Sequence, residues 1–194
     1  MNKKEFLEPD NMIRLYASGA FPMANDNGVI NWYMPETRTI IPLDNYNIPR
    51  SLKKFLSSSD FEIRLDTDFL SVIKGCSERE ETWISDELII AYKRIYKRGH
   101  LHSVETWQNG ELVGGLYGIT FRGSFFGESM FSKVPQASKA ALSFLIPHLI
   151  RNNFLLLDVQ YMTEHLKMFG AVEIQFEEYQ KILYSSYLRI CEFK

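Results

Sequence analysis

Thiol chemistry has little to work with in this chain: among 194 residues there are two cysteines, Cys76 and Cys191. Neither has a close-spaced partner, so the sequence offers no disulfide framework and no zinc motif, and a reducing cytoplasm is the simplest setting. Long hydrophobic runs are missing as well. The opening MNKKEFLEPDN lacks the apolar stretch of a signal peptide, and nothing later approaches the roughly 20 apolar residues of a membrane helix. The expectation is a soluble, unexported protein with no membrane partner. There is no GxxxxGK[ST] loop for nucleoside triphosphates and no GxGxxG after a strand for dinucleotides. Ser129 lies in GESMF rather than GxSxG, which removes a hydrolase elbow. His100 and His102 form an H-x-H with no cysteine or acidic ligand at useful spacing, so they read as ordinary strand histidines. No metal and no cofactor is expected. A net charge of −2 also denies the chain the bulk basic footprint of a nucleic-acid binder, so any such footprint must be local.

What is present is enough apolar material for one substantial core, with 45% hydrophobic and 14% aromatic residues and no repeat or low-complexity segment. Pro9 and Asp10 start a short helix that Gly19 stops, and a strand is expected at residues 39–42 after a soft boundary near Pro35. Helical patterns at residues 49–57 and 67–76 flank a strand at 61–65, and Ser85 opens a further helix. Asn109-Gly110 makes a hairpin between strands at 101–108 and 111–121, and Arg122-Gly123-Ser124 leads into a third strand at 125–131, giving an antiparallel meander. A helix at 136–151 containing Pro147 precedes a buried strand at 154–157, a short helix ending near Gly170, a strand at 172–176 and a last amphipathic helix. The order is that of a mixed α/β (α+β) fold.

Two apolar segments, GGLYGITFRGSFFGESMFS (114–132) and FLLLDVQYMTEHLKMFGA (154–171), each carry ionisable residues that strand formation does not require. Asp158 sits at the carboxyl end of a short apolar run, where ligands bind in α/β folds. If the chain stays extended, Asp158 and Gln160 project to one side and a carboxylate and an amide share a cleft. The alternative is that Asp158 caps a helix starting near Tyr161. Gly114, Gly115 and Gly118 interrupt a strand and mark either a bulge or the close approach of a backbone or ligand, the bulge being the plainer reading. Glu128, taken alone, reads as turned to water rather than buried with a partner. The stretch AYKRIYKRG (91–99) stacks Lys93 on Lys97 and Arg94 on Arg98 at i,i+4, like charges that repel in isolation and so suggest an anionic partner. A solvated helix end explains the same residues. Arg50, Lys53 and Lys54 form a second basic cluster.

These motifs carry a resemblance. YASGAFPM (16–23), TWI (82–84), HSVETW (102–107), LVGGLYG (112–118), GESMFS (127–132), ASKAAL (137–142), DVQ (158–160), EHL (164–166) and FGA (169–171) occur in the order found in the leucyl/phenylalanyl-tRNA–protein transferase family, which the chain resembles over most of its length. DVQ replaces the family's more usual DCQ, FGA replaces LGA, and the amino terminus is short.

The resemblance implies an acetyltransferase-like (GNAT-related) mixed sheet at residues 36–194 behind a small amino-terminal region, 1–35. It implies an enzyme that moves leucine or phenylalanine, with overlap to methionine, from aminoacyl-tRNA to the α-amino group of proteins beginning with arginine or lysine, marking them for degradation by the N-end rule pathway. It would act as a cytoplasmic monomer without a cofactor. Asp158, Gln160 and Glu128 would be catalytic: Asp158 orienting or deprotonating the amine, Gln160 aligning carbonyl and amine, and Glu128 fixing both. Trp83 would stack on the terminal adenine. Leu116, Phe125, Met130, Leu142, Leu145, Leu149 and Leu157 would form the aminoacyl pocket, although periodicity alone makes all of them core. Arg50, Lys53, Lys54, Lys93, Arg94, Lys97 and Arg98 would meet tRNA phosphates, and Asp158, Glu128 or Glu164 would receive the acceptor's cationic side chain. Two other readings are an acyl-CoA transferase and an inert RNA-binding module. The first needs a glycine-bearing pyrophosphate loop that residues 132–138 lack, and the second needs exposed stacking aromatics.

Overall fold

The computed structural model describes residues 3–78 and 82–194. After a 3-10 turn at Lys3–Leu7, helix α1 (Pro9–Ala17) leads into a two-stranded antiparallel sheet, β1 (Phe21–Ala24) and β2 (Ile30–Tyr33). The remaining chain runs β3 (Thr37–Ile41), α2 (Arg50–Ser58), β4 (Glu62–Leu65), α3 (Phe69–Ser77), α4 (Asp86–Tyr96), β5 (Leu101–Gln108), β6 (Glu111–Phe121) and β7 (Ser124–Ser132). It ends α5 (Ala137–Arg151), β8 (Leu156–Gln160), α6 (Glu164–Lys167), β9 (Val172–Gln175) and α7 (Phe176–Ser186). Seven strands form one mixed sheet in the order β4-β5-β6-β7-β8-β3-β9. This is the mixed α/β sheet with flanking helices, behind a short amino-terminal region, that the resemblance implies.

Local chemistry accounts for the elements. Asn109 and Gly110 both adopt positive φ, as a two-residue hairpin turn requires, and β5 and β6 fall on either side of it. Side chains of Asp68, Ser85 and Thr163 accept N–H groups at the starts of α3, α4 and α6. Asp158 caps no helix, because Thr163 does that for α6. The strand carrying Asp158 begins two residues later than expected and runs to Gln160. Helix α5 continues through Pro147.

Two apolar clusters sandwich the sheet. One gathers Met12 and Tyr16 of α1, Val72 and Ile73 of α3, Leu88 and Tyr92 of α4, and Tyr179 and Leu183 of α7. The other gathers Leu52 of α2 with Leu142, Leu145, Ile146 and Leu149 of α5. The amino-terminal helix thus shares its core with the large sheet.

The glycines of β6 serve these contacts. A Cβ on Gly114 would meet Ala137 of α5 at 2.5 Å, and one on Gly115 would meet the Val104 carbonyl at 2.8 Å. On Gly118 it would meet the Phe125 ring at 2.3 Å and the Phe126 carbonyl at 2.5 Å. The close approach expected at these positions comes from the protein itself. Bulges accompany it: β6 carries the extra residue Val113 opposite the Thr106/Trp107 step.

All neighbouring strands are antiparallel except β7 and β8, which α5 connects as a parallel crossover pair. Their pairing stops at Phe126 and Asp158, although β7 continues for six more residues to Ser132. Beyond that level the two strands part.

Because neither backbone nor ring can yield at Gly118, Gly118→Ala is expected to lower unfolding free energy by about 2–3 kcal/mol in urea titration. Gly28→Ala, whose Cβ would meet nothing within 4 Å, should cost less, its expense being limited to the strain of a φ of +73°.

Candidate active site

Where β7 and β8 diverge lies a cleft of about 740 Å³. Leu116 and Tyr117 are consecutive on β6 and so point to opposite faces of the sheet, yet both line it. The cleft thus reaches β6 at the level where β7 and β8 have stopped pairing. Met130, Phe131 and Lys133 come from β7 and its exit, Ser138, Leu142 and Leu145 from α5, Leu157, Val159 and Gln160 from β8, Trp83 from the approach to α4, and Phe21 from β1.

Two bulges face each other at the point of divergence. In the β6–β7 register Tyr117 pairs with Ser129 and Gly118 with Gly127, which leaves Glu128 as the extra residue. In the β3–β8 register Thr39 pairs with Gln160 and Ile40 with Asp158, which leaves Val159 extra. A bulge releases a side chain from the alternation of its strand and re-aims it. Gln160 then takes a φ of +58°, and the Tyr161 N–H donates to the Val159 carbonyl at 2.8 Å, closing a γ-turn. A non-glycine residue held there costs about 1–3 kcal/mol and persists only when its surroundings fix it.

Asp158 supplies that fixing. Its Oδ1 accepts the Gln160 backbone N–H at 2.9 Å and Arg38 Nε at 2.9 Å, while Oδ2 accepts Arg38 Nη2 at 2.6 Å and the Tyr179 hydroxyl at 2.7 Å. Arg38 and Asp158 are both 0% exposed. The guanidinium lies between the rings of Phe21 and Tyr179, at 4.5 and 4.9 Å from their centroids, and its Nη1 has no hydrogen-bond partner among the described residues. Burial pulls Arg38 down, but the charge of Asp158 and its hydrogen bonds together outweigh it and hold the guanidinium above its ordinary value. Burial, followed by the Asp158 charge, keeps the Tyr179 hydroxyl well above its own.

The expectation that Asp158 and Gln160 share one cleft wall needs correction. Gln160 lines the cleft and Asp158 lies behind it, because Arg38 draws the carboxylate into the core. Glu128 is not turned to water either. It is 8% exposed, lines the cleft, accepts the Tyr92 hydroxyl at 2.7 Å and stands 3.5 Å from Gln160 Nε2. Tyr16 stands 3.3 Å from Tyr92, hydroxyl to hydroxyl, and extends the chain of donors. Burial pushes the Glu128 carboxyl up to about 7, hydrogen bonds from Tyr92 and Tyr16 pull against it, and the Asp158 charge adds to the rise.

Of the eight residues expected around the aminoacyl group and terminal adenosine, Trp83, Leu116, Met130, Leu142, Leu145 and Leu157 line the cleft. Phe125 and Leu149 do not. Phe125 stacks on Phe193, and Leu149, one turn beyond Leu145, packs past the end of the cleft. Glu164 is outside the lining, with its side chain 90% exposed. Arg50, Lys53 and Lys54 are exposed on α2. Of the two like-charge pairs on α4 and its carboxyl end, one is relieved, since Arg94 pairs with Glu8 at 2.9 Å and Arg98 with Asp10 at 3.5 Å, while Lys93 and Lys97 stay exposed. His102 bonds Asp66 at 2.7 Å and His100 stands 2.9 Å from the Thr120 carbonyl. Sequence reasoning passed over Arg38, Tyr16, Tyr92 and Tyr179. The arginine alone left a trace, a charge inside the apolar strand TRTII, which is the same oddity that marks Asp158.

Comparison with known families matches residues 40–184 to "Leucyl/phenylalanyl-tRNA protein transferase" and residues 7–36 to the N-terminal domain of the same family. The chain belongs to this transferase family. It is 46% identical to the leucyl/phenylalanyl-tRNA–protein transferase of Salinibacter ruber over 169 residues, 87% of this chain and 75% of that protein. It is 48% identical to the protein of that name from Paramagnetospirillum magneticum, over 90% of this chain and 86% of the relative. With the one from Herpetosiphon aurantiacus the identity is 49%, over 91% and 93%. For a leucyl/phenylalanyl-tRNA–protein transferase family member, the cleft therefore carries an amide, a buried carboxylate, an apolar floor and a tryptophan.

Two stability outcomes are expected. Asp158→Asn strands a buried guanidinium and should cost about 3–5 kcal/mol, while Asp158→Asn with Arg38→Met should recover part of it in a double-mutant cycle by denaturation. For Glu128, the folded carboxyl at about 7 lies above its ordinary 4.5, so the folded state holds its proton longer than the unfolded chain. That contribution to stability is full below about 4.5 and is lost as pH rises to about 7. Glu128→Gln should therefore raise Tm relative to wild type more at pH 8 than at pH 5.

Proposed function

We propose that this cleft is where the family's reaction takes place, the transfer of leucine or phenylalanine from aminoacyl-tRNA to a protein amino terminus. The observation that carries the reading is the juxtaposition of Glu128 and Gln160 at 3.5 Å above an apolar floor. An aminoacyl ester is already activated, so the protein must position it, stabilise the carbonyl oxygen as charge develops, and move a proton. Leu116, Met130, Leu142, Leu145 and Leu157 would receive the aminoacyl side chain, and an apolar pocket of this kind separates Leu, Phe and Met by only about 1–3 kcal/mol. Trp83 would stack on the terminal adenine, worth about 1–3 kcal/mol.

In the chemical step the acceptor nitrogen attacks the ester carbon, a C–N bond forms, and the bond from that carbon to the ribose oxygen breaks. Glu128, poised near neutrality, takes the proton that the nitrogen sheds and returns one to the departing ribose oxygen. Gln160 aligns carbonyl and amine. Asp158 acts through Gln160 by holding its backbone turn, and is on this reading a positioning residue.

The acceptor is a protein beginning with arginine or lysine, and among the described residues Glu78 and Glu128 are the carboxyl side chains that line the cleft and could receive its cation. Residues 1–35 form an amino-terminal region and 36–194 the catalytic domain. Arg50, Lys53 and Lys54, with Lys93 and Lys97, meet tRNA phosphates, and Arg94 and Arg98 do so only by sharing themselves with Glu8 and Asp10. The enzyme works as a monomer in the cytoplasm, upstream of degradation by the N-end rule pathway; no helix among the described residues is long and apolar enough to cross a membrane.

Labelled leucine should pass from leucyl-tRNA to a peptide beginning with arginine, and neither to one beginning with alanine nor from an acyl-CoA. Glu128→Gln should lower kcat by about 10²-fold or more and erase the limb of the pH–rate profile near 7. An unchanged profile would remove Glu128 from the proton path.

A further inference from the structure

An acceptor with a cationic first side chain needs a carboxylate in the cleft that keeps its charge, and the described residues leave one. Asp158 is committed to Arg38 and lies behind the cleft wall, and Glu164 is outside the lining. Lys133 and His165 line the cleft but offer no negative charge. Glu128 lines it too, yet it accepts the Tyr92 hydroxyl at 2.7 Å, stands 3.5 Å from Gln160 Nε2, and is asked by the reaction to take up and release a proton. A cation held against that carboxyl would lock it in its charged form and oppose the proton's return. Glu78 remains.

Glu78 closes helix α3, its backbone N–H donating to the Lys74 carbonyl at 3.0 Å. A carboxylate at a helix carboxyl end meets the negative pole of the macrodipole, so local preference is against it and favours a cation beside it. Its partner is Lys74, 3.8 Å away, with side chains 76% and 58% exposed, in the weaker Lys-before-Glu order at i,i+4. A pair so open to water exchanges readily for another cation. Gly75, on the same helix face one turn earlier, also lines the cleft. A Cβ there would stand 2.7 Å from the Phe131 ring, so its absence is what lets the end of α3 lie against β7. Phe131 follows Glu128 by three residues on that strand, about 10 Å. An arginine carries its guanidinium up to about 7 Å from its α-nitrogen, across six bonds of about 1.5 Å. A residue whose amine reacts at Gln160 can therefore span most of that distance, and the Glu78 side chain reaches into the cleft from its rim.

We propose that Glu78, at the carbonyl end of α3, is the subsite for the acceptor's first side chain, and that it selects a cation by exchanging Lys74 for it. The inference rests on the transferase reading of the cleft and names the specificity-determining residue within it. Two carboxyls of one cleft thereby divide the work, Glu128 handling the proton and Glu78 the fixed charge.

The test compares peptides X–Ala–Ala–Phe in which X is arginine, its uncharged isostere citrulline, or glutamate, assayed for transfer of labelled leucine from leucyl-tRNA at fixed pH and ionic strength. The wild-type enzyme should favour arginine over citrulline by about fivefold in kcat/KM, expressed mainly in the acceptor KM. Glu78→Gln should bring that ratio to about one, by weakening the arginine peptide and sparing the citrulline one. Glu78→Lys should carry the ratio below one and improve transfer to the glutamate peptide. Lys74→Met, which removes the competing cation, should move the ratio the other way, upward by about twofold. The KM for leucyl-tRNA should stay constant in Glu78→Gln. A wild-type ratio of one, a ratio unchanged in Glu78→Gln, an equal loss on the arginine and citrulline peptides, or a rise confined to the leucyl-tRNA KM would each overturn the assignment and leave the transferase reading standing. No transfer to any peptide by folded wild-type enzyme would overturn both.

Discussion

The pairing of Arg38 with Asp158 out of contact with water is the constraint on which the site is built. Two charges in a core are expensive to desolvate, and their mutual attraction compensates only when the remaining hydrogen-bonding capacity is used. Here most of it is used: Asp158 accepts from Arg38, Tyr179 and the Gln160 backbone, and the guanidinium is sandwiched by two aromatic rings. Those bonds connect β3, β8, α7 and the turn that presents Gln160. The side chain that faces the cleft is thus placed by one that never enters it.

Backbone geometry completes the arrangement. A parallel pair of strands that stops pairing midway makes a gap in a sheet, and a gap is where a ligand can reach both faces. Bulges on either side of the gap bring Glu128 and Gln160 toward each other although they sit on strands that have already parted. Glu128 is held by tyrosines from α4 and α1. Its carboxyl is held near neutrality because burial opposes its charge while those hydroxyls support it.

Much of the scaffold was legible because its signals are local. The Asn109-Gly110 turn fixed the hairpin, and the Ser85 cap fixed the start of α4. The motifs named the family. What the chain order does not display is which face a residue meets after a bulge or which distant side chain it meets, and both errors about the site arose there. Glu128 looked solvent-facing because a carboxylate is seldom buried without a partner and its partner, Tyr92, lies 36 residues away, and Asp158 looked cleft-facing because strand alternation was assumed to continue. Arg38 is separated from Asp158 by 120 residues, so no spacing rule could join them. Phe125 and Leu149 share the apolar character of the true lining residues, and only the end of the cleft distinguishes them. The repulsion between Arg94 and Arg98 is relieved for a similar reason, since Glu8 and Asp10 arrive from a distant part of the chain.

The buried pair also gives the molecule a thermal asymmetry. The penalty for removing charges from water falls as temperature rises, whereas the return from each square ångström of apolar burial levels off. An anchor made of charge gains weight on heating relative to the leucine- and phenylalanine-rich layers around it. The γ-turn at Gln160 is therefore fastened by the component of this fold that weakens least with heat, and the outer strands should loosen before the reacting geometry does.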